Sequence, residues 1–97
     1  MLTNFLMVTD PVGTLKTRNE RVLYKSDLGP TAPNHYLAHR LDTHIRSFTE
    51  ICEDMDRTVE LCDITDWHKR LEVRNSESDL VAVRDVQIIY TDEEEVQ

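Results

Sequence analysis

Apolar and polar positions change their rhythm several times along the chain, and each change predicts an element. Phe5, Leu6, Met7 and Val8 run together between Thr3 and Thr9, which predicts a short, buried strand. Asp10-Pro11-Val12-Gly13 then predicts a turn, because proline presets φ at the second position while Asp suits the first and Gly the fourth. Thr17-Arg18-Asn19-Glu20 reads as a loop. After it, Val22 and Tyr24 alternate with Leu23 in a second extended segment. Residues 1–26 are therefore expected to be β-rich, with one or two antiparallel pairings. Asp27 to Asn34 holds Gly29, Pro30 and Pro33 and breaks the pattern. Proline is tolerated in a first helical turn but not in a helix interior, so a helix is predicted to start between Thr31 and Asn34.

From Leu37 the period becomes helical. At 100° per residue, Leu37, Leu41, Ile45, Phe48, Ile51, Cys52, Met55, Val59 and Cys62 fall within an arc of about 120°. This predicts a long amphipathic helix over residues 34–62. Leu41, Ile45, Phe48, Cys52, Met55, Val59 and Cys62 alternate spacings of four and three, a heptad-like seam of about three heptads. Such a seam suits a sheet beneath the helix. It also suits a second helix, in which case Leu41, Ile45, Phe48 and Met55 would line a homo-oligomer contact.

The end of the helix is open at this level. No glycine or proline interrupts residues 34–74, yet Thr58-Val59-Glu60-Leu61 also alternates as a strand. Asp63 to Asp66 reads as a break, with Thr65 or Asp66 capping a short helix from Trp67, or with Trp67, Leu71 and Val73 beginning a strand. A β-hairpin is expected over 71–90 around the polar turn Asn75–Asp79. In its second arm Val81 and Val83 share one face while Val86, Ile88 and Tyr90 share the other, so a bulge near Arg84–Asp85 is expected. Residues 91–97 form an acidic tail. The fold class predicted is α+β, a small antiparallel sheet packed by one long amphipathic helix. The alternative is a mainly α protein with residues 34–74 as two helices.

Composition limits this to one domain. The chain has 97 residues, of which 39% are apolar and 6% aromatic, so a single and mostly aliphatic core is expected. Charge adds more. The formal net charge is −8, unevenly spread. Residues 1–48 carry four acids and six bases; residues 49–97 carry fifteen acids and five bases. The second half therefore predicts a negative surface that meets something positive. Lys16, Arg18, Arg21 and Lys25 are interrupted by Glu20 and lack interleaved aromatics, so direct nucleic-acid binding is not expected. The first nine residues lack a positive leader, and no uncharged stretch approaches the roughly 20 residues of a membrane span, so no membrane contact is expected and the cytoplasm is the expected location.

Candidate chemistry is sparse. There is no glycine-rich phosphate loop, nucleophile elbow, zinc-protease motif or C-x-x-C pair, so no enzyme and no cofactor are expected. Cys52 and Cys62 read as buried thiols. His35, His39 and Asp42 share one helix face and could offer a metal two imidazoles and a carboxylate, but Arg46 lies on the same face and would repel the ion. Trp67 reads as a core residue, and His44 as a half-buried packing histidine at the edge of the apolar arc. The feature that points furthest is an acidic ladder of Glu50, Glu53, Asp54 and Glu60, extended by Asp63 and Asp66. Carboxylates one helical turn apart coarsely approximate a phosphate row and steer a basic groove by charge. Three functions are expected from these features. The first is a non-catalytic inhibitor or adaptor that occupies a basic, nucleic-acid-binding surface of a partner protein, as DNA mimics and phage anti-defence proteins do. The second is a self-associating assembly protein using the Leu41–Cys62 seam. The third is a metal-dependent protein using His35, His39 and Asp42.

Overall fold

The computed structural model describes residues 2–12, 19–26 and 35–92. These form an α+β fold with a five-stranded antiparallel sheet and one helix. Strands β1 (Leu2–Val12) and β2 (Asn19–Ser26) precede α1 (His35–Asp54); β3 (Thr58–Thr65), β4 (His68–Arg74) and β5 (Leu80–Asp92) follow it. The sheet order is β2-β1-β5-β4-β3, so the first and last strands pair at the centre and β2 and β3 form the edges.

Directly opposed residues of an antiparallel pair share a face, and the registers sort the side chains accordingly. Leu6 lies opposite Ile88 and Tyr24, Val8 opposite Val86, and Leu71 opposite Arg84 and Leu61. These residues face α1. Leu6, Val8, Leu71, Val86 and Ile88 close with Leu37 and Leu41 of the helix into one aliphatic core, against which Tyr24, Ile45, Phe48, Val59 and Trp67 pack. Of the predicted seam, Leu41 is thus part of this core and Ile45 and Phe48 pack against it. Phe5, Met7, Val22, Ile89, Asp85, Arg70, Cys62, Glu60 and Glu72 belong to the opposite face.

Several expectations change. The helix predicted over 34–62 ends at Asp54, and residues 58–65 are a strand, so Val59 and Cys62 do not extend a helical seam. The stop is a Schellman motif. Arg57 N–H donates to the Cys52 carbonyl at 2.9 Å and Asp56 N–H to the Glu53 carbonyl at 3.1 Å, with Asp56 at a φ of 60°. Glycine usually fills that left-handed position; here an aspartate does, and the usual stop signal is missing from the sequence. The predicted start of the helix at Thr31–Asn34, the loop residues 17 and 18, Gly13, and residues 93–97 of the expected tail lie outside the described residues.

Asp10-Pro11-Val12 is not a free turn. These residues continue β1, whose register against β5 shifts between Thr9 and Val12, where proline has no N–H to give the ladder. An irregularity does fall beside Arg84–Asp85, but the extra residue is in β1: the β1–β5 register shifts between the pairs Thr9–Asp85 and Val12–Val83, while β4 and β5 pair without a shift from Ala82 to Gln87 and shift only at the hairpin end, between Val73 and Arg74. The apparent change of phase arises because Arg84 occupies a position facing the helix and Asp85 one facing away, and both are paired. The hairpin turn is held by Asn75, whose Oδ1 accepts from Glu77 N–H and Asp79 N–H at 2.9 and 3.0 Å. Ser78 takes the left-handed conformation there, with a φ of 68°.

Candidate functional site

The predicted acidic residues lie on α1, on the edge strand β3 and in the turn after it, an acidic border in which Glu60 projects from the sheet face turned away from the helix. Glu50, Glu53 and Asp54 lie on the second half of α1, Glu60 and Asp63 on the edge strand β3, and Asp66 in the β3–β4 turn; all six are exposed. The Schellman turn carries the chain from the end of α1 into β3 within three residues, which sets the helix end beside the start of that strand. Asp63 is held by Lys69 at 2.8 Å across the β3–β4 pair.

Large apolar side chains are exposed on the same elements and in the turn after α1. Ile51 is 58% exposed, Met55 64%, Leu61 49% and Ile64 50%. Leu61 follows from strand alternation at a sheet edge, where it faces the helix side with no further strand beyond it. Of the residues expected to line an oligomer contact, Leu41 is buried at 2% exposure, Ile45 and Phe48 are half-buried against the core, and Met55 is the one left in solvent.

On the open face, Glu60, Cys62 and Glu72 converge, with one ligand atom of each within 4.8 Å of the others. Burial, then the carboxylates of Glu72 and Glu60, push the Cys62 thiol up and keep it protonated. This is the grouping among the described residues that offers three metal-ligand atoms together; His35, His39 and Asp42 do not form one. All three are exposed on α1, and His35 to Asp42 spans about two helical turns. Cys52 and Cys62 are free thiols on different elements.

Two charged clusters were not foreseen from the sequence. Asp85, 8% exposed, accepts from Arg70 Nε at 2.9 Å and Arg70 Nη2 at 3.2 Å, with His68 Nε2 at 3.2 Å from Oδ1. Burial pushes its carboxyl up, yet the hydrogen bonds from Arg70 and His68 outweigh that and hold it below the usual carboxylate range. With both oxygens taken, the cluster ties β4 to β5 rather than presenting a free base.

The second cluster joins the helix to the sheet. Arg84 reaches Asp10 through two bonds, at 2.7 and 2.9 Å, and its Nη1 lies 3.3 Å from His44 Nε2. Its guanidinium also sits 4.3 Å from the centre of the Phe48 ring. Burial, then the charges of Arg84 and Arg21, hold His44 below its usual value, against the opposing pull of Asp10. The neutral ring can accept from Arg84; the protonated ring cannot. The folded state therefore favours neutral His44, and that contribution is complete above the unfolded value near 6.5 and lost as pH falls from there toward the folded value. We expect the melting temperature to fall between about pH 7.5 and about pH 5.5, and His44→Gln to reduce that fall. Thermal melts monitored by circular dichroism check this; equal slopes for both proteins would show that His44 does not carry the effect.

Comparison of the chain with protein-family models, with curated proteins and with solved structures finds no match. Among the described residues, no helix is long and apolar enough to cross a membrane.

Proposed function

We infer that this chain is a non-catalytic protein-binding module, an inhibitor or adaptor that sets its acidic border against a basic, nucleic-acid-binding surface of a partner protein in the cytoplasm. The observation that carries this reading is the mixture at that border. Exposed Glu50, Glu53, Asp54, Glu60, Asp63 and Asp66 share α1, β3 and the β3–β4 turn with exposed Ile51, Leu61 and Ile64, and exposed Met55 lies in the turn from α1 to β3. A border that only kept the protein soluble would have no need of large apolar side chains among its charges, whereas protein interfaces combine the two.

A conflict within the helix adds support. The last turn of α1 has no basic residue and carries Glu53 and Asp54, against the negative end of the helix dipole. Acids there oppose stability by about 0.3–1 kcal/mol each at low salt. Local choices that work against the fold are expected where a function requires them.

The test is binding to a partner recovered from nuclease-treated lysate, repeated with the variant Glu50→Gln, Glu53→Gln, Asp54→Asn, Glu60→Gln. All four positions are exposed, so the variant should fold. Affinity is expected to fall by about tenfold or more, and its dependence on salt to flatten. Unchanged affinity with unchanged salt dependence would remove the reading.

A further inference from the structure

We propose that β3 is a docking edge which takes an extended segment of a partner protein as a sixth strand, and that this segment alternates apolar with basic residues. The inference rests on the binding role above and adds a mode and a sequence pattern to it. The first support is the difference between the two edges of the sheet. Edge strands expose unpaired backbone groups, and proteins blunt them with lysines, bulges or proline. The β2 edge is blunted in this way. It carries Arg21 and Lys25, and its register against β1 shifts at Leu23. The β3 edge has no proline or lysine, and its register with β4 is continuous from Thr58 to Asp63, with a shift only at the strand's end, between Asp63 and Thr65, whereas the shift in β2 falls in mid-strand.

The chemistry beside that edge differs from one face to the other. On the helix side lie Val59 and the exposed Leu61, with exposed Ile51 on the adjoining end of α1 and exposed Met55 in the turn after it. On the open side Glu60 and Glu72 converge on Cys62. Side chains of an added strand would alternate between these two surroundings, as in any strand. One set would meet the apolar residues; the other would meet the carboxylates. An occupant alternating apolar residues with lysine or arginine satisfies both, and the backbone of β3 supplies the ladder. A second copy of this chain satisfies them less well, because pairing β3 with itself brings together two acidic borders of a protein that carries a formal net charge of −8.

The experiment uses three synthetic peptides of about ten residues with identical composition. One alternates valine with arginine, one carries the same residues in two blocks, and one is the alternating peptide N-methylated at every second residue. Binding to the full chain is measured by titration calorimetry, and the site is located by amide shifts in NMR spectra. The alternating peptide should bind, shift the amides of residues 58–65, and lose about tenfold or more in affinity on N-methylation, the equivalent of about one net hydrogen bond or more. Glu60→Gln should weaken it as well. Equal binding of all three peptides would overturn strand addition and leave a purely electrostatic border, so the binding role would survive. Failure of all three to bind at low salt would count against both. A salt-resistant dimer paired through β3 would show that a second copy is the occupant and would overturn the proposal.

Discussion

Asp10→Ala is expected to destabilise the fold by about 3–5 kcal/mol, the cost of leaving one member of a buried ion pair without its partner. Asp10 and Arg84 are both largely shielded, their side chains 11% and 13% exposed, and are joined by two bonds. Without the carboxylate, Arg84 keeps the neutral His44 ring and the face of Phe48 among the described residues. For a domain whose total stability lies near 5–15 kcal/mol, that loss is a large fraction. The comparison that isolates the cause is Asp10→Leu combined with Arg84→Met. This double variant removes both charges together and should recover most of the loss. Urea denaturation at constant m reads both effects. A single variant that loses less than about 1 kcal/mol would show that the pair behaves like a surface salt bridge.

Leu41→Ala is the second large effect expected. Its side chain is almost fully buried between α1 and the sheet, and truncation there costs about 2–5 kcal/mol. Met55→Ala, from the same predicted seam, should change stability by no more than about 0.5 kcal/mol, because Met55 stands in solvent. The contrast tests which way the seam faces. A seam that joined two copies would make both variants change the oligomeric state; a seam on the sheet makes Leu41→Ala unfold the chain whatever its concentration. Denaturation at several protein concentrations separates the two.

These residues also show where sequence reasoning reached and where it stopped. The apolar period from Leu37 to Cys52 identified the helix, because helical spacing is local. It overran the helix end because Thr58-Val59-Glu60-Leu61 satisfies both periods, and because Asp56 takes the left-handed position where a glycine would have marked the stop. The β-hairpin was readable from its alternation and the Asn75–Asp79 turn. The roles of Arg84 and Asp10 were not, since their meeting depends on β1 pairing with β5 across most of the chain. Local pattern alone reads such a charge as a break in phase. The same limit applies to the candidate site. Exposure of Glu50, Glu53 and Asp54 follows from helical phase. That β3 lies at an edge follows only from the strand order, which no stretch of sequence displays.

The central pairing of β1 with β5 has a consequence for the protein's synthesis. During translation β1 leaves the ribosome early and β5 late, so Leu6, Val8 and Asp10 wait for Ile88, Val86 and Arg84 until nearly all the described chain has emerged. Until then the nascent chain can form the β1–β2 and β3–β4 hairpins, but no strand joins them and only α1 touches both, and isolated hairpins are at best marginally stable in water. Long-range pairing of this kind slows folding and prolongs the time in which strand edges are open to other chains. Loss of the last strand would therefore not trim the sheet; it would remove the seam between its two halves and leave β1 and β4 each with a bare edge.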